Sequence, residues 1–414
     1  RHLSSGSRRI YRGFDPTADS LTIGNLVPIM LLRHFQLAGH TPVVVMGGGT
    51  GLIGDPSGKD AERRLLDASR VKENVQSQSR IFESILDTRG PNAVEIMDNA
   101  DWLAKLTYIE LLRDVGKHFS VNAMMQKDSV KTRLESREQG ISYTEFSYMV
   151  LQSFDYLYLN RHADVTIQAG GSDQWGNITA GIDLIRKSHA SEGAGGEGGG
   201  ESAEGAHGLV TPLVTKSDGG KFGKTESGAV WLTPDRTSPY EMYQFWLNTS
   251  DTDAIDYLKV FTLMPLEEIE ALAAEHEARP QDRLAQKALA SCATSIVHSE
   301  SETDRASRAS RALFSGDVSA LDARTIEEVF ANVPKSELEK SRLEGVGVPM
   351  VDLLIETGLA KSKREAREFL ANGAVTVNGG TVGIEDALTT GMLLHGSTAL
   401  IRRGKKSWHV TEWL

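Results

Sequence analysis

Residues 11–30 read YRGFDPTADSLTIGNLVPIM. Tyr11–Phe14 ends an apolar, β-branched run, and Gly13 lets the backbone approach a neighbour closely. Asp15-Pro16-Thr17 makes a turn, and Thr22-Ile23-Gly24-Asn25 opens a helix. Pro28 supports that start, because proline is best tolerated within a helix's first turn. A strand, a turn and a helix mouth in this order suit a triphosphate: free N–H groups and the helix dipole face the anion. Many helix mouths with a glycine bind nothing, so the surroundings must decide.

Working outward, residues 9–190 alternate apolar runs with helical patterns, the mark of an α/β fold with a parallel sheet. Strands are expected at Arg9–Gly13, Thr41–Met46, Ala93–Ile96 and Val165–Gln168, with helices such as Leu26–Ala38 and Tyr143–Tyr158 between them. Ser191–Gly208, SEGAGGEGGGESAEGAHG, cannot pack a core and reads as a flexible insertion. From Ser238 to about Arg324 the pattern is helical, including Leu266–His276 and Arg283–Ser299. Pro334–Gly347 reads as a polar linker. From Val348 onward a helix-like Val351–Thr357, then KSKREAREFLANGAVTVNGG, lead to short strands ending in IRRGKKSWHV.

Composition narrows the function. The 414 residues carry a net charge of −11, which excludes a basic coat over the whole molecule. Residues 361–414 hold 8 Lys and Arg against 5 acidic residues, a surplus of +3 that leaves −14 for the remainder. That polarity points to a small RNA-facing module on an acidic enzyme. The longest stretch without Asp, Glu, Lys or Arg, His34–Gly54, is broken by Pro42 and glycines and makes a poor membrane span. The single cysteine, Cys292, excludes an intramolecular disulfide and a cysteine zinc cage. Four arginines and three serines precede Asp15. They read as a chain that starts late, or as the remnant of an organellar transit peptide.

Four further blocks carry polar groups at places where α/β sheets bind ligands. In residues 43–64, VVVMGGGTGLIGDPSGKDAERR, a strand runs into glycines and Asp55, but neither G-x-G-x-x-G nor a P-loop is in register. Lys59 and Arg63 reach a phosphate or are simply solvated. In residues 143–158, YTEFSYMVLQSFDYLY, the residues Tyr148, Gln152 and Asp155 share one helix face. They line a pocket or are satisfied within the core, and the spacing alone does not choose. In residues 168–181, QAGGSDQWGNITAG, amides and a carboxylate at Gln168, Asp173 and Gln174 suit a ribose and an amino-acid carboxylate, with helix capping as the competing role. In residues 216–228, KSDGGKFGKTESG, Lys221 and Lys224 stand in a glycine-containing loop before Thr225, able to close over a leaving pyrophosphate.

Together these blocks resemble the class I aminoacyl-tRNA synthetases, and more closely the bacterial-type tyrosyl-tRNA synthetases. YRGFDPTADSL, GLIGDPSGK, DVGKHFSVN, FSYMVLQ, GGSDQWGNI and KFGKT occur in order along the chain. The C-terminal part resembles an S4-type RNA-binding domain. The resemblance implies a Rossmann-like catalytic domain over 1–228, an α-helical anticodon-proximal domain over 229–333, a linker over 334–347 and an α+β S4-like domain over 348–414. It also implies that tyrosine's carboxylate attacks the α-phosphate of ATP and that the tyrosyl group then passes to tRNA(Tyr).

On this resemblance Tyr11 and Asp155 hold the substrate phenol, while Tyr148, Gln152 and Asp55 contact its ammonium. Gln168 supports that pocket and Gln174 lies near the carboxylate. Gly13, Asp15, Gly24, Gly171, Asp173 and Lys224 fall on the ATP side, with Asp173 on the ribose. Thr17, Thr22, Asn25, Lys59, Arg63, Lys221, Lys224 and Thr225 surround the phosphates. ATP is a substrate with Mg2+ as its counter-ion, and neither a protein-held metal nor a tightly bound cofactor is expected. Lys361, Lys363, Arg364 and Arg367, with Arg402, Arg403, Lys405 and Lys406, would grip RNA phosphates. A homodimer is expected, with the Asp114–Met125 region at its interface. No membrane association is expected, and a cytoplasmic location is preferred to a mitochondrial matrix.

Three departures stand out. The family's HIGH signature appears as Thr22-Ile23-Gly24-Asn25, so both histidines are replaced. Arg12 occupies a place where a small residue is usual. The helical segment that normally precedes the first strand is absent from this sequence. A rival reading follows: a catalytically weakened, synthetase-like RNA-binding protein.

Overall fold

The computed structural model describes residues 1–54, 67–127, 130–131, 141–193, 205–217, 219–220, 222–225, 228–404 and 406–414, with the side chains of 192, 193, 224 and 225 left aside. Two compact units emerge. One comprises Arg1–Arg236 and Thr252–Ala274, the other Thr237–Asp251 and Glu275–Leu414.

The first unit is built on five parallel strands: β1 (Arg9–Phe14), β2 (Thr41–Met46), β3 (Glu95–Asp98), β4 (Val165–Gly171) and β5 (His207–Thr211). Their order in the sheet is β3-β2-β1-β4-β5. The connection from β1 goes one way to β2, while β4 takes the other side of β1, which makes the crevice between β1 and β4 the switch point where such sheets bind ligands. β2 and β4 are buried along their whole length, as expected of strands covered on both faces.

Helix α1 (Ile23–Leu37) follows β1. Thr22 is its N-cap residue, with Asn25 completing a capping box at the third position. Pro28 sits in the second turn, not the first as expected from sequence. Its ring nitrogen therefore removes the bond that the Gly24 carbonyl would otherwise receive. Helix α2 (Ala68–Ile85) packs on the face of β1 that carries Phe14, whose ring lies 4.6 Å from Phe82. Helix α3 (Tyr143–Ala163) and helix α4 (Trp175–Gly193) cover the other face. Tyr11, Tyr156, Leu157, Leu184 and Val43 share a core there.

Two expectations in this unit need correction. The third strand lies at Glu95–Asp98 instead of Ala93–Ile96, because the Ala93 N–H bonds back to Gly90 in a turn. The Gly/Glu-rich stretch is structured at both ends: α4 runs to Gly193, and β5 begins at His207 and pairs with Ile167. Residues 194–204 lie outside the described ones.

In the second unit, helices α5 (Pro239–Leu247), α6 (Leu284–His298), α7 (Glu300–Ser315) and α8 (Ala323–Val329) precede a mixed sheet. The stretch 334–347 is not merely a linker. Strand β6 (Lys335–Leu338) pairs in parallel with the last strand of the chain, and Lys340–Leu343 forms a 3-10 turn. The sequence Lys-Ser-Glu-Leu at a sheet edge is half-exposed and lacks the apolar alternation that betrays a strand. Helices α9 (Met350–Glu356) and α10 (Lys363–Ala371) follow, then β7 (Val375–Val377), β8 (Gly380–Thr381), β9 (Thr398–Arg403) and β10 (Ser407–Trp413). The sheet order is β8-β7-β9-β10-β6. Leu400 and Val410 share one core with Ala309, Val318, Leu321, Ile326 and Phe330.

Candidate active site

A cavity of about 390 Å³ opens at the carboxyl edge of β1 and β4, within the size of small-ligand sites. Twelve of the residues singled out in the sequence line it: Tyr11, Gly13, Asp15, Thr17, Thr22 and Asn25 from the first block, and Tyr148, Gln152, Asp155, Gln168, Asp173 and Gln174 from the two later ones.

At its floor Tyr11 and Asp155 are 2% and 5% exposed. Asp155 accepts hydrogen bonds from Trp102 Nε1 at 2.7 Å and from Asn99 Nδ2 at 3.0 Å. Burial nonetheless pushes its carboxyl up to about 7, against the pull of those two donors. The Tyr11 hydroxyl is buried with no hydrogen-bond partner among the described residues. Burial first, then the nearby Asp155 and Tyr156, push it well above its ordinary range, so Tyr11 is a donor at neutral pH. A buried donor awaiting an acceptor, beside a buried carboxylate, is complementary to a hydroxyl that both gives and receives a hydrogen bond.

The walls are held by amides. Asn177 Nδ2 donates to Gln152 Oε1 at 2.9 Å, and Gln152 Nε2 donates to Gln174 Oε1 at 3.2 Å. Gln168 is 2% exposed and its Oε1 has no hydrogen-bond partner among the described residues. Gln174 Nε2 donates to Asp173 Oδ2 at 3.3 Å. Gly171 does not line the cavity, but a Cβ there would stand 2.4 Å from Asp173 Oδ1, so its smallness gives Asp173 room.

At the helix mouth both the N–H and the hydroxyl of Thr22 donate to Asn25 Oδ1, each at 3.0 Å. That spends the Thr22 hydroxyl proton on its neighbour and leaves Asn25 Nδ2 as the side-chain donor. Gly24 is not among the residues that line the cavity. The strand Lys224–Thr225 pairs with Gly228–Ala229, and Ile23 N–H bonds the Val230 carbonyl at 2.8 Å, which lays this hairpin against the start of α1. Gly223 has φ +80° and sits beside Ile23. Asp55, Lys59, Arg63 and Lys221 lie outside the described residues, as do the side chains of Lys224 and Thr225.

The basic candidates of the second unit divide. Lys361, Arg364 and Arg367 at the head of α10 and Lys406 beyond β9 are exposed. Lys363 is also exposed but pairs with Asp352 at 2.9 Å. Arg403 donates to the Leu359 carbonyl and lies 5.0 Å from the Phe369 ring. Arg402 lies 5.1 Å from the Trp408 ring, with its Nε buried. Arg402 and Arg403 are thus half-buried packing residues as well as charges. Lys405 is outside the described residues.

Residues 4–315 match the model of class I tRNA synthetases (W and Y), and residues 325–411 match the tyrosine–tRNA ligase SYY-like C-terminal domain. The chain belongs to the bacterial-type tyrosyl-tRNA synthetase family. Among its relatives, the tyrosine–tRNA ligase of Bacillus caldotenax is 51% identical over 410 residues, covering 98% of this chain and 92% of that one. The tyrosine–tRNA ligase of Opitutus terrae is 47% identical over 414 residues, covering 100% and 94%. A C-terminally truncated mitochondrial tyrosyl-tRNA synthetase of Aspergillus nidulans superposes with a TM-score of 0.63 at 31% identity, over 74% of this chain and 86% of that one.

For this synthetase-family cleft, sequence reasoning missed Asn99 and Trp102. Both sit in the Asp98–Leu103 segment just beyond β3, and Asn99 is 2% exposed. Asn99 also accepts from the Gly49 N–H at 2.8 Å and donates to Thr50 Oγ1 at 3.0 Å, tying Asp155 to the loop after β2. The available signal was the Asp-Asn-Ala-Asp-Trp run at a strand's carboxyl end, where polar residues serve ligands in α/β sheets. Asn177, which orders the Gln152–Gln174 wall, was also missed. It lies one helical turn after Asp173.

Proposed function

We infer that this chain is a tyrosine–tRNA ligase, which activates tyrosine with ATP and charges tRNA(Tyr) during protein synthesis. One observation carries the reading furthest: the paired Tyr11 hydroxyl and Asp155 carboxylate at the cavity floor. A phenol entering there accepts from Tyr11 and donates to Asp155. Phenylalanine would leave the buried Tyr11 hydroxyl without an acceptor and give Asp155 no donor beyond Trp102 and Asn99, and tyrosyl-tRNA synthetases are themselves the established example of rejecting it on this ground without editing.

Above the phenol, Tyr148 and Gln152 face the substrate ammonium, joined by Asp55, and Gln174 stands near its carboxylate. Asp173 receives the ATP ribose. A carboxylate oxygen then attacks the α-phosphorus, and the bond to the β-phosphate breaks, releasing pyrophosphate. The chain needs no nucleophile of its own, only positioning and charge. Asn25 and Thr17, with Lys59, Arg63, Lys221, Lys224 and Thr225, are assigned to the phosphates, and Mg2+ arrives with ATP. In the second step a hydroxyl of the terminal adenosine attacks the tyrosyl carbonyl and AMP leaves.

The domain roles follow the same reading: 1–228 for catalysis, 229–333 for the anticodon side and 348–414 for RNA. A homodimer is supported by exposed apolar side chains close along the chain: Ile109 is 69% exposed, Val121 57% and Leu112 45%. Leu112→Glu is expected to shift the sedimentation coefficient to that of a monomer. The described residues contain no helix long and apolar enough to cross a membrane, and a cytoplasmic location fits the bacterial relatives.

The test of the ligase reading is tyrosine-dependent ATP–pyrophosphate exchange. Exchange with tyrosine, absent with phenylalanine and lost in Lys224→Ala, is the expected result. A folded chain without exchange would overturn it.

A further inference from the structure

Arg12 is the residue of the cleft that neither the tyrosine half nor the capped helix mouth accounts for. It lies on β1 between Tyr11 and Gly13, and side chains alternate along a strand. Tyr11 therefore turns toward the core shared with α3, while Arg12 turns to the face of Phe14, whose ring lies 6.0 Å from the guanidinium carbon. That is the side away from the phenol pocket.

Among the described residues lining the cavity Arg12 is the sole cation, against Asp15, Asp155 and Asp173. Its Nη1 is buried and has no hydrogen-bond partner among the described residues. Burial lowers the guanidinium to about 10, while Asp173 pulls it back up, so it stays charged at neutral pH. Among the described residues no ion pair within 4.0 Å joins Arg12 to Asp173, which attracts the charge from farther off.

Arg12 as a whole is half-buried, but a buried Nη1 on a charged guanidinium, unsatisfied among the described residues, is costly unless a ligand completes it. The anion that belongs between Asp173 and the helix mouth is the phosphate next to the ribose. At that mouth Thr22 spends its hydroxyl proton on Asn25, leaving the neutral Asn25 amide as the side-chain donor.

We propose that Arg12 binds the α-phosphate of ATP, donating from Nη1 to a non-bridging oxygen as tyrosine's carboxylate attacks and pyrophosphate leaves. The assignment rests on the tyrosine-activation reading. It makes Arg12 a catalytic residue that supplies charge where the helix mouth offers only neutral donors.

The test compares Arg12→Gln and Arg12→Lys with the unaltered chain in tyrosine-dependent exchange, alongside equilibrium dialysis of tyrosine and ATP separately. Arg12→Gln is expected to lower kcat/KM for ATP by about 100-fold, with tyrosine affinity within about twofold of the unaltered chain. Arg12→Lys should recover part of that loss, since an ammonium keeps the charge and forfeits the fork. An equal loss of tyrosine affinity and thermal midpoint in Arg12→Gln would overturn the proposal in favour of packing on Phe14. A loss seen with ATP but not with 3′-deoxy-ATP would overturn it in favour of a ribose contact. If the unaltered chain shows no exchange with tyrosine, the ligase reading falls. ATP dialysis still judges Arg12 in that case, because equal ATP affinity in both chains would overturn its assignment.

Discussion

At the scale of single residues, the cavity floor holds two groups whose pKa values are raised by burial, which makes the proposed tyrosine site testable. The Tyr11 hydroxyl gains nothing from its surroundings until a ligand arrives. An unsatisfied buried donor costs about 1–3 kcal/mol. Tyr11→Phe should therefore leave the thermal midpoint of the ligand-free protein unchanged or raise it, while lowering kcat/KM for tyrosine at least tenfold. A fall in both would show that the hydroxyl has a structural partner. Asp155 predicts a pH profile. Its folded pKa of about 7 lies above the usual 3.9 or so of an aspartate, so its contribution to stability is present below that lower value and lost as pH rises through 7. On the proposed reading, tyrosine binding has the opposite preference, since the phenol O–H would donate to the carboxylate. Affinity should be highest above pH 7 and fall by up to about tenfold per pH unit below it. Calorimetric titration from pH 5.5 to 8.5 checks this; a flat profile would mean that Asp155 does not receive the phenol. The sequence exposed these two residues for different reasons, Asp155 by its shared helix face with Tyr148 and Gln152, Tyr11 by its block. Asn99 and Trp102 were hidden because they reach Asp155 across 56 and 53 residues, a distance at which no local period operates.

At the scale of elements, the loop after β2 is pinned to the end of β3. Asp98 Oδ1 accepts from the Gly48 N–H at 3.0 Å and the Ala100 N–H at 2.9 Å, while a Cβ at Gly48 would lie 2.1 Å from that oxygen. Gly48→Ala must push Asp98 aside, and the next residue is Asn99. The expected outcome is a loss of about 1–3 kcal/mol in stability together with about a tenfold drop in tyrosine affinity. Stability lost with affinity intact would show that this loop does not position Asn99. Helix and strand identity was readable where apolar periodicity was strong, as in α1, β2 and α3. It failed at β6, whose polar residues form an edge strand only because β10 offers a partner. Pro28 misled for a related reason: its tolerance in the second turn depends on the particular helix, not on a positional preference.

At the scale of the whole molecule, the proposed tasks fall in different compact units. Lys361, Arg364 and Arg367 are exposed at the head of α10, while the cleft belongs to the other compact unit. Reversing all three to glutamate should reduce tRNA charging by at least about 100-fold and weaken its dependence on salt, with pyrophosphate exchange left within about twofold. Loss of both activities together would argue against the separation. The class of fold was legible from alternating strands and helices. The strand order was not, because β5 adjoins the Gly/Glu-rich run and the sequence offers no sign of which edge it joins.

Helices α7 and α8 lend Ala309 and Ile326, and the residues flanking α8 lend Val318 and Phe330, to the same apolar core as Leu400 and Val410. Anyone shortening this protein between residues 315 and 325 would strip the inner wall from two neighbours at once. A fragment ending there keeps a greasy face bare to water, and a fragment beginning there lacks its lining. The natural place to cut is elsewhere, and a calorimetric scan should find that helices and terminal sheet melt together.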